Sequence, residues 1–306
     1  MTHIFLSQSK INSLGLFIIN GQLEEEREVC PLSIYKFSFS DHEWESENTN
    51  LGKYGETLVL GSCARGEVMN DPPLMKNGKK SVKIKRIEEH ASLFNKRITT
   101  LGANVIIGLN TQVKLIKRYS DNVWITMEYD IFPTTIISDG CYVPAIIDVK
   151  YSSSSRNDYF SHKNIGQTAP YCFGDLDMLS RNQQYIYQWG AQDINIEYLK
   201  RWNPDDADRY DSLLSPELIS MLNKTPPHFC WFVMGHEKYV NPDDALNIIK
   251  VPPPKDWRLL HYLIDTAVER YVQYENEGWK PNPSPTTCGR CKIKCELDYY
   301  KNYDKL

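Results

Sequence analysis

Four cysteines divided between the two ends of a 306-residue chain constrain its fold more than any other feature. Cys30 stands in Glu28-Val29-Cys30-Pro31-Leu32-Ser33-Ile34-Tyr35, and Cys288, Cys291 and Cys295 stand in Thr287-Cys288-Gly289-Arg290-Cys291-Lys292-Ile293-Lys294-Cys295. Thiolates that share a metal or cluster would tie the two ends of the fold together. A Cys-x-x-Cys pair alone does not choose the occupant: four thiolates suit a 4Fe–4S cluster or a structural zinc, and unligated thiols are the third reading. Cys63, Cys141, Cys172 and Cys230 lie singly and are expected to be small buried residues.

A chain of this length buries a real core as one large domain or two small ones. The net charge of −4 rules out a globally basic nucleic-acid binder, so any DNA contact has to come from a local patch. No apolar run reaches the roughly 18 residues of a membrane span. Leu14 to Ile19 is too short and wrongly flanked for a signal peptide. The expected location is therefore cytoplasmic, where disulfides are rare and clustered cysteines more often bind metal.

Along the chain, residues 1–40 read as partly helical, with Ser7 or Ser9 as caps. Residues 40–55 read as a polar loop, and Leu58 to Met69 as a helix stopped by Asp71-Pro72-Pro73. Residues 76–97 are strongly basic (Lys76, Lys79, Lys80, Lys83, Lys85, Arg86, Lys96, Arg97), and Ile84, Ile87, Ala91 and Phe94 have helical spacing. Strands are expected at Asn104–Leu109 with Gln112–Ile116, at Val123–Phe132, at Tyr142–Tyr151 and at His228–Met234. Long helices are expected at Asp177–Tyr198 and at Trp257–Glu277, the latter ended by Gly278. Strands bracketed by long helices predict a mixed α/β domain with a central sheet. There is no internal repeat.

The chemistry concentrates on two strands and a helix. Asp130 closes Met127-Glu128-Tyr129-Asp130, and Asp148 and Lys150 close Ile146-Ile147-Asp148-Val149-Lys150. A turn at Asp139-Gly140 would bring the two strands side by side. Asp148 and Lys150 are two apart and share one face of a strand. Two carboxylates and a carbonyl, that of Val149, make a hard-oxygen site suited to Mg²⁺ or Mn²⁺. Such an ion activates water and offsets charge on a phosphate, and Lys150 would steady the same charge. The bland reading of Asp-x-Lys is a strand-end salt bridge. Gln183 and Tyr187 lie one helical turn apart. They would contact a phosphate or a metal-bound water, or else form a polar-aromatic face of a core helix.

Taken in order, these residues resemble the RecB-like nucleases of the PD-(D/E)XK superfamily. The likeness is to the iron–sulfur branch with the CRISPR-associated RecB-like exonucleases and the AddB nuclease domain. That branch carries an early Cys-Pro-x-x-x-Tyr, matched by Cys30, Pro31 and Tyr35, and a helical Gly-x-x-x-His, occupied here by Gly61 to Arg65. Its strand aspartate matches Asp130, its Asp/Glu-x-Lys matches Asp148 and Lys150, and its Gln-x-x-x-Tyr matches Gln183 and Tyr187. Its terminal cysteine trio matches Cys288, Cys291 and Cys295. Single motifs are degenerate; the ordered set, from about residue 7 to 297, is specific. Two departures stand out. Arg65 replaces a metal-binding histidine, and arginine, always protonated, cannot ligate; Glu67, two residues on, points to a different part of the helix. The gap between the last two cysteines is also shorter than is usual in the branch.

The resemblance implies one nuclease domain over 1–306: a mainly helical part at 1–100, a catalytic core at 101–235, and a C-terminal helix with the cysteine segment at 236–306. It implies a Mg²⁺- or Mn²⁺-dependent DNA exonuclease acting on single-stranded or end-bearing DNA, in recombination, phage replication or CRISPR adaptation. Asp130, Asp148 and Val149 would hold the metal, with Lys150, Gln183 and Tyr187 at the reaction. Cys30, Cys288, Cys291 and Cys295 would hold a 4Fe–4S cluster, with zinc as the other occupant. Partners would be DNA and possible recombination or CRISPR proteins or further copies of the chain, with no membrane. The rival from another class is a non-catalytic DNA-binding or scaffold protein that keeps the nuclease fold. Arg65 favours that rival, and the intact Asp130, Asp148 and Lys150 oppose it.

Overall fold

From Val123 to Tyr129 every second residue is buried, the period of a strand covered on one face. From Tyr129 to Phe132 all four residues are buried, because there the strand is covered on both faces. This strand organises the molecule. The computed structural model describes residues 3–19, 21–25, 29–39, 47–61, 69–75, 77–152, 174–235, 246–282 and 295.

In chain order the elements are β1 (Ile4–Ser7), α1 (Gln8–Ser13), β2 (Leu16–Ile19), β3 (Gln22–Glu25) and α2 (Pro31–Ile34), which runs on as a π-helical turn at Tyr35–Phe39. Then come α3 (Glu47–Leu60), α4 (Val82–Leu101), β4 (Thr111–Arg118), β5 (Val123–Ser138), β6 (Cys141–Ser152), α5 (Gly174–Gly190) and α6 (Ile196–Trp202). The last are α7 (Ala207–Leu213), α8 (Pro216–Lys224), β7 (His228–Gly235), β8 (Leu246–Val251) and α9 (Arg258–Glu277). Among the described residues, six strands form one mixed sheet in the order β1-β5-β6-β7-β8, with β4 also paired to β5. β4, β5 and β6 are an antiparallel meander; β6 and β7 are parallel, so the chain must cross over between them, and α5 to α8 lie on that crossover. β2 and β3 make a separate antiparallel pair.

The sheet has a helical layer on each face. Leu6, Val113, Ile125, Met127, Ile146, Phe229 and Trp231 pack with Ile186 of α5 and with Leu260, Leu263 and Ile264 of α9. Ile131, Ile147, Val149 and Phe232 pack instead with Val59 and Leu60 of α3 and with Phe94, Ile98 and Leu101 of α4. Each such buried side chain contributes about 1.5–3 kcal/mol relative to exposure. The fold is therefore mixed α/β, a central mixed sheet flanked by helices. α5 lies very close to β5: a Cβ at Gly190 would collide with the Met127 sulfur and the Tyr129 hydroxyl.

Several local expectations change. The first 25 residues hold three strands as well as a helix, and β1 belongs to the main sheet. A helix runs over Glu47–Leu60, across part of the expected loop; residues 62–68 of the helix expected at Leu58–Met69 lie outside the described residues. Residues 104–110 are not a strand: Asn110 accepts from the Ile106 N–H and donates to the Asn104 and Pro133 carbonyls, folding the segment into turns. The helix expected at Asp177–Tyr198 is broken after Gly190 into α5 and α6. Cys141, expected to be buried, is exposed, while Cys230 is buried and its thiol is pushed up to about 12 by burial. Cys63 and Cys172 lie outside the described residues.

Candidate active site

Alternation along β6 sends Ile146 to the α5 face and Ile147 to the α4 face. Asp148, one residue further, therefore returns to the face beneath α5. The Ile131–Ile147 pair in the antiparallel register puts Asp130 directly across from Asp148. Both carboxylates are buried, Asp130 at 7% and Asp148 at 2% exposure. Two buried anions on neighbouring strands repel and lose hydration, so they persist only with donors or a cation beside them.

The donors are present. Gln183 of α5 donates from Nε2 to Asp148 Oδ1 at 2.5 Å. The Val149 backbone N–H donates to Asp130 Oδ2 at 2.7 Å. Gln112 donates from Nε2 to Asp130 Oδ1 at 3.1 Å. α5 is fixed above the pair by Asn182, which is fully buried. Asn182 accepts from the Ile18 N–H and donates to the Leu16 carbonyl and to Asn12.

The structure thus brings Asp130, Asp148 and Gln183 together, with the Val149 backbone between the acids. Tyr187 follows Gln183 by one turn, but its ring is in the core against Tyr129 (centroids 4.7 Å apart) and Phe229 (6.1 Å). The Tyr129 hydroxyl, pushed up by complete burial, donates to the Tyr187 carbonyl at 2.9 Å. Lys150 is paired through its backbone to Val233 of β7; its side chain lies outside the described residues, as do Arg65, Glu67, Cys288 and Cys291. Among the described residues, no set of three His, Cys, Asp or Glu side chains converges on a metal position. Among the described residues, what stands beside the two acids to complete a cation site is therefore neutral oxygen.

The basic stretch does not join these carboxylates. α4 packs on the opposite face of the sheet from α5, and Lys80 is paired with Glu88 at 2.6 Å. Lys117 is occupied as well, donating to the Trp189 and Gln192 carbonyls at the end of α5. The sequence reading did not single out Gln112, Asn182 or Arg209. Arg209 donates to the carbonyls of Leu109, Thr111 and Gln112 and so shapes the start of β4. The available signal was Asn110-Thr111-Gln112, three polar residues opening an apolar strand.

Cys30 is half-buried at the start of α2, with Pro31 in the first helical position. Asn282, beyond α9, donates to the Val29 carbonyl at 3.3 Å. Trp279 packs on Tyr35 and Phe39. The chain leading to the terminal cysteines therefore passes beside Cys30. Cys295 is described and half-buried.

No protein-family model matches the sequence, and no curated protein matches it. By structure the chain is similar to the crystal structure of a protein named "Putative exonuclease" from Eubacterium rectale. The TM-score is 0.54 at 15% identity, over 94% of this chain and 86% of that one. At that identity the likeness shows the fold. A second solved structure superposes with a TM-score of 0.30 at 12% identity, over 87% of this chain and 94% of that one, too low to bear on the fold. Among the described residues no helix is long and apolar enough to cross a membrane.

Proposed function

We propose that this chain is a divalent-metal-dependent DNA nuclease, with exonuclease action on single strands or duplex ends as the favoured form. The observation that carries the reading is the buried pair Asp130 and Asp148, opposed on adjacent strands and held by Gln112, the Val149 N–H and Gln183. The architecture around them supports it, since the neighbour of like fold is named "Putative exonuclease".

The donor chemistry fits Mg²⁺ or Mn²⁺: two carboxylates, with neutral oxygens such as the Val149 carbonyl, are hard ligands. Asp130 and Asp148 would hold the ion. When bound, it lowers the pKa of water and offsets charge on the phosphate. The chain's own residues do the rest. Gln183, Gln112 and the Val149 N–H orient the two carboxylates. Lys150, two residues past Asp148 on β6, would place a cation beside the scissile phosphate. Tyr187 seats α5 on the sheet and so fixes the height of Gln183. Cys30, Cys288, Cys291 and Cys295 would hold a 4Fe–4S cluster or, failing that, zinc, as a structural tie.

End-labelled single- and double-stranded DNA incubated with Mn²⁺ and anaerobically purified protein tests this. Wild type is expected to degrade the label and Asp148→Ala is expected to leave it intact. Retained DNA binding with no degradation by either protein would turn the reading to a scaffold that keeps the fold, with Arg65 as its cause.

A further inference from the structure

Three buried polar residues, Asn110, Thr111 and Gln112, lead into β4. Gln112 has φ of 54°, in the left-handed region that side chains rarely occupy. Such a conformation persists where the surroundings impose it, and it concentrates at functional positions. Here the Arg209 guanidinium imposes it by gripping the carbonyls of Leu109, Thr111 and Gln112.

The pairs Thr111–Ile131 and Val113–Tyr129 put Gln112 directly across from Asp130. Asp130 is in turn across from Asp148, so three side chains stand in a row over three adjacent strands. The Gln112 amide is 8% exposed and donates from Nε2 to Asp130 Oδ1. Its other end, Oε1, is buried with no hydrogen-bond partner. Turning the amide over would set Oε1 against a carboxylate oxygen, so the orientation follows from the chemistry. A buried acceptor left in this way, on a side chain that touches the Asp130 carboxylate, has a use if a cation meets it.

We infer that Gln112 Oε1 is a protein ligand of the divalent cation held by Asp130 and Asp148, an inference that rests on the metal site proposed above. Three facts converge on it. Hard divalent cations accept amide carbonyls readily. No third acid joins the pair among the described residues, and a neutral oxygen is the ligand type they offer beside it. Two carboxylates already balance the charge of a divalent ion, and an amide oxygen adds a ligand without adding charge, which suits a buried site.

The test is Mn²⁺ binding by the full-length protein, measured by calorimetry alongside the thermal midpoint with and without the ion. Gln112→Leu is expected to weaken binding about 10–100-fold, the range for residues that hold or orient a metal ligand. Gln112→Glu keeps an oxygen and adds a charge. It should lower the metal-free midpoint, by repulsion with Asp130, and bind Mn²⁺ at least as tightly as wild type. Wild-type affinity in Gln112→Leu, or equal weakening in both variants, would overturn the assignment; equal weakening would mark the amide as a donor to Asp130 only. If Gln112→Leu does not fold, Gln112→Glu decides: binding as tight as wild type or tighter supports the ligand, weaker binding removes it. Asp148→Asn separates the two readings. Loss of Mn²⁺ in Asp148→Asn but not in Gln112→Leu fails this inference alone, whereas wild-type binding in Asp148→Asn fails the site and the inference together.

Discussion

A carboxylate as deeply buried as that of Asp148 has to be held by donors, and Gln183 supplies one at 2.5 Å from a helix that belongs to another layer. The bond therefore joins site geometry to packing: whatever moves α5 moves the Asp148 carboxylate. Gln183→Leu keeps the volume and removes the donor. Mn²⁺ affinity in that variant is expected to fall about 10–100-fold, as for other residues that orient a ligand, with an unchanged fold by circular dichroism. Mn²⁺ titration of the purified variant checks this, and wild-type affinity would reduce the Gln183 bond to a helix–sheet contact. Asp130, Asp148 and Gln183 were legible in the sequence because strand and helix periods place them: Asp148 next to an apolar strand run, Gln183 one turn from an aromatic. Gln112 and Asn182 were not. A single amide becomes informative only when burial shows what it donates to, and no spacing rule announces that.

At the scale of elements, α5 carries Gln183 of the candidate site and is held at its far end by Lys117. Lys117 of β4 donates to the carbonyls of Trp189 and Gln192 where the helix stops, and sits 4.2 Å above the Trp189 ring. Burial outweighs the pull of Asp193 and lowers its pKa from 10.5 to about 8. Between about 8 and 10.5 the unfolded chain binds more protons at this residue than the native one, so its contribution to stability rises with pH across that window. Below the window the charged form is carried at constant cost. In Lys117→Met that rise is expected to vanish, so its thermal midpoint should fall further behind wild type as pH climbs from about 8. Taking the difference between the two proteins cancels the tyrosines, which titrate in both; a pH-independent difference would show that Lys117 titrates normally. The elements that were legible are those with sustained patterns, β5 by alternation and α9 by its apolar stripe and Gly278. Four-residue strands such as β1 to β3 are too short for a period to declare itself. Ile106 and Ile107 look like strand residues but are exposed in a turn, at 44% and 63%, because Asn110 claims the backbone around them.

For the whole molecule, the question is what holds an N-terminal segment and a C-terminal segment side by side. The described residues supply an aromatic cluster in which Trp279 meets Tyr35, Phe39, Tyr271 and Tyr274, and Asn282 reaches the Val29 carbonyl. Six further residues lead to Cys288, a reach of about 20 Å at most for an extended chain, so a shared site with Cys30 is within the chain's span. Closing so long a loop removes much of the unfolded chain's entropy, and the free energy of loading the thiolates becomes folding free energy. Cys30→Ala is therefore expected to lower the thermal midpoint and to lose bound iron, measured by metal analysis and by visible charge-transfer absorbance. Cys141→Ala, at an exposed position on β6, should change neither. Zinc in place of iron in the wild type, lost in the same variant, would keep the tie and change its occupant. A Cys30→Ala protein with wild-type metal content and midpoint would leave the aromatic cluster and the Asn282 bond as what joins the two ends.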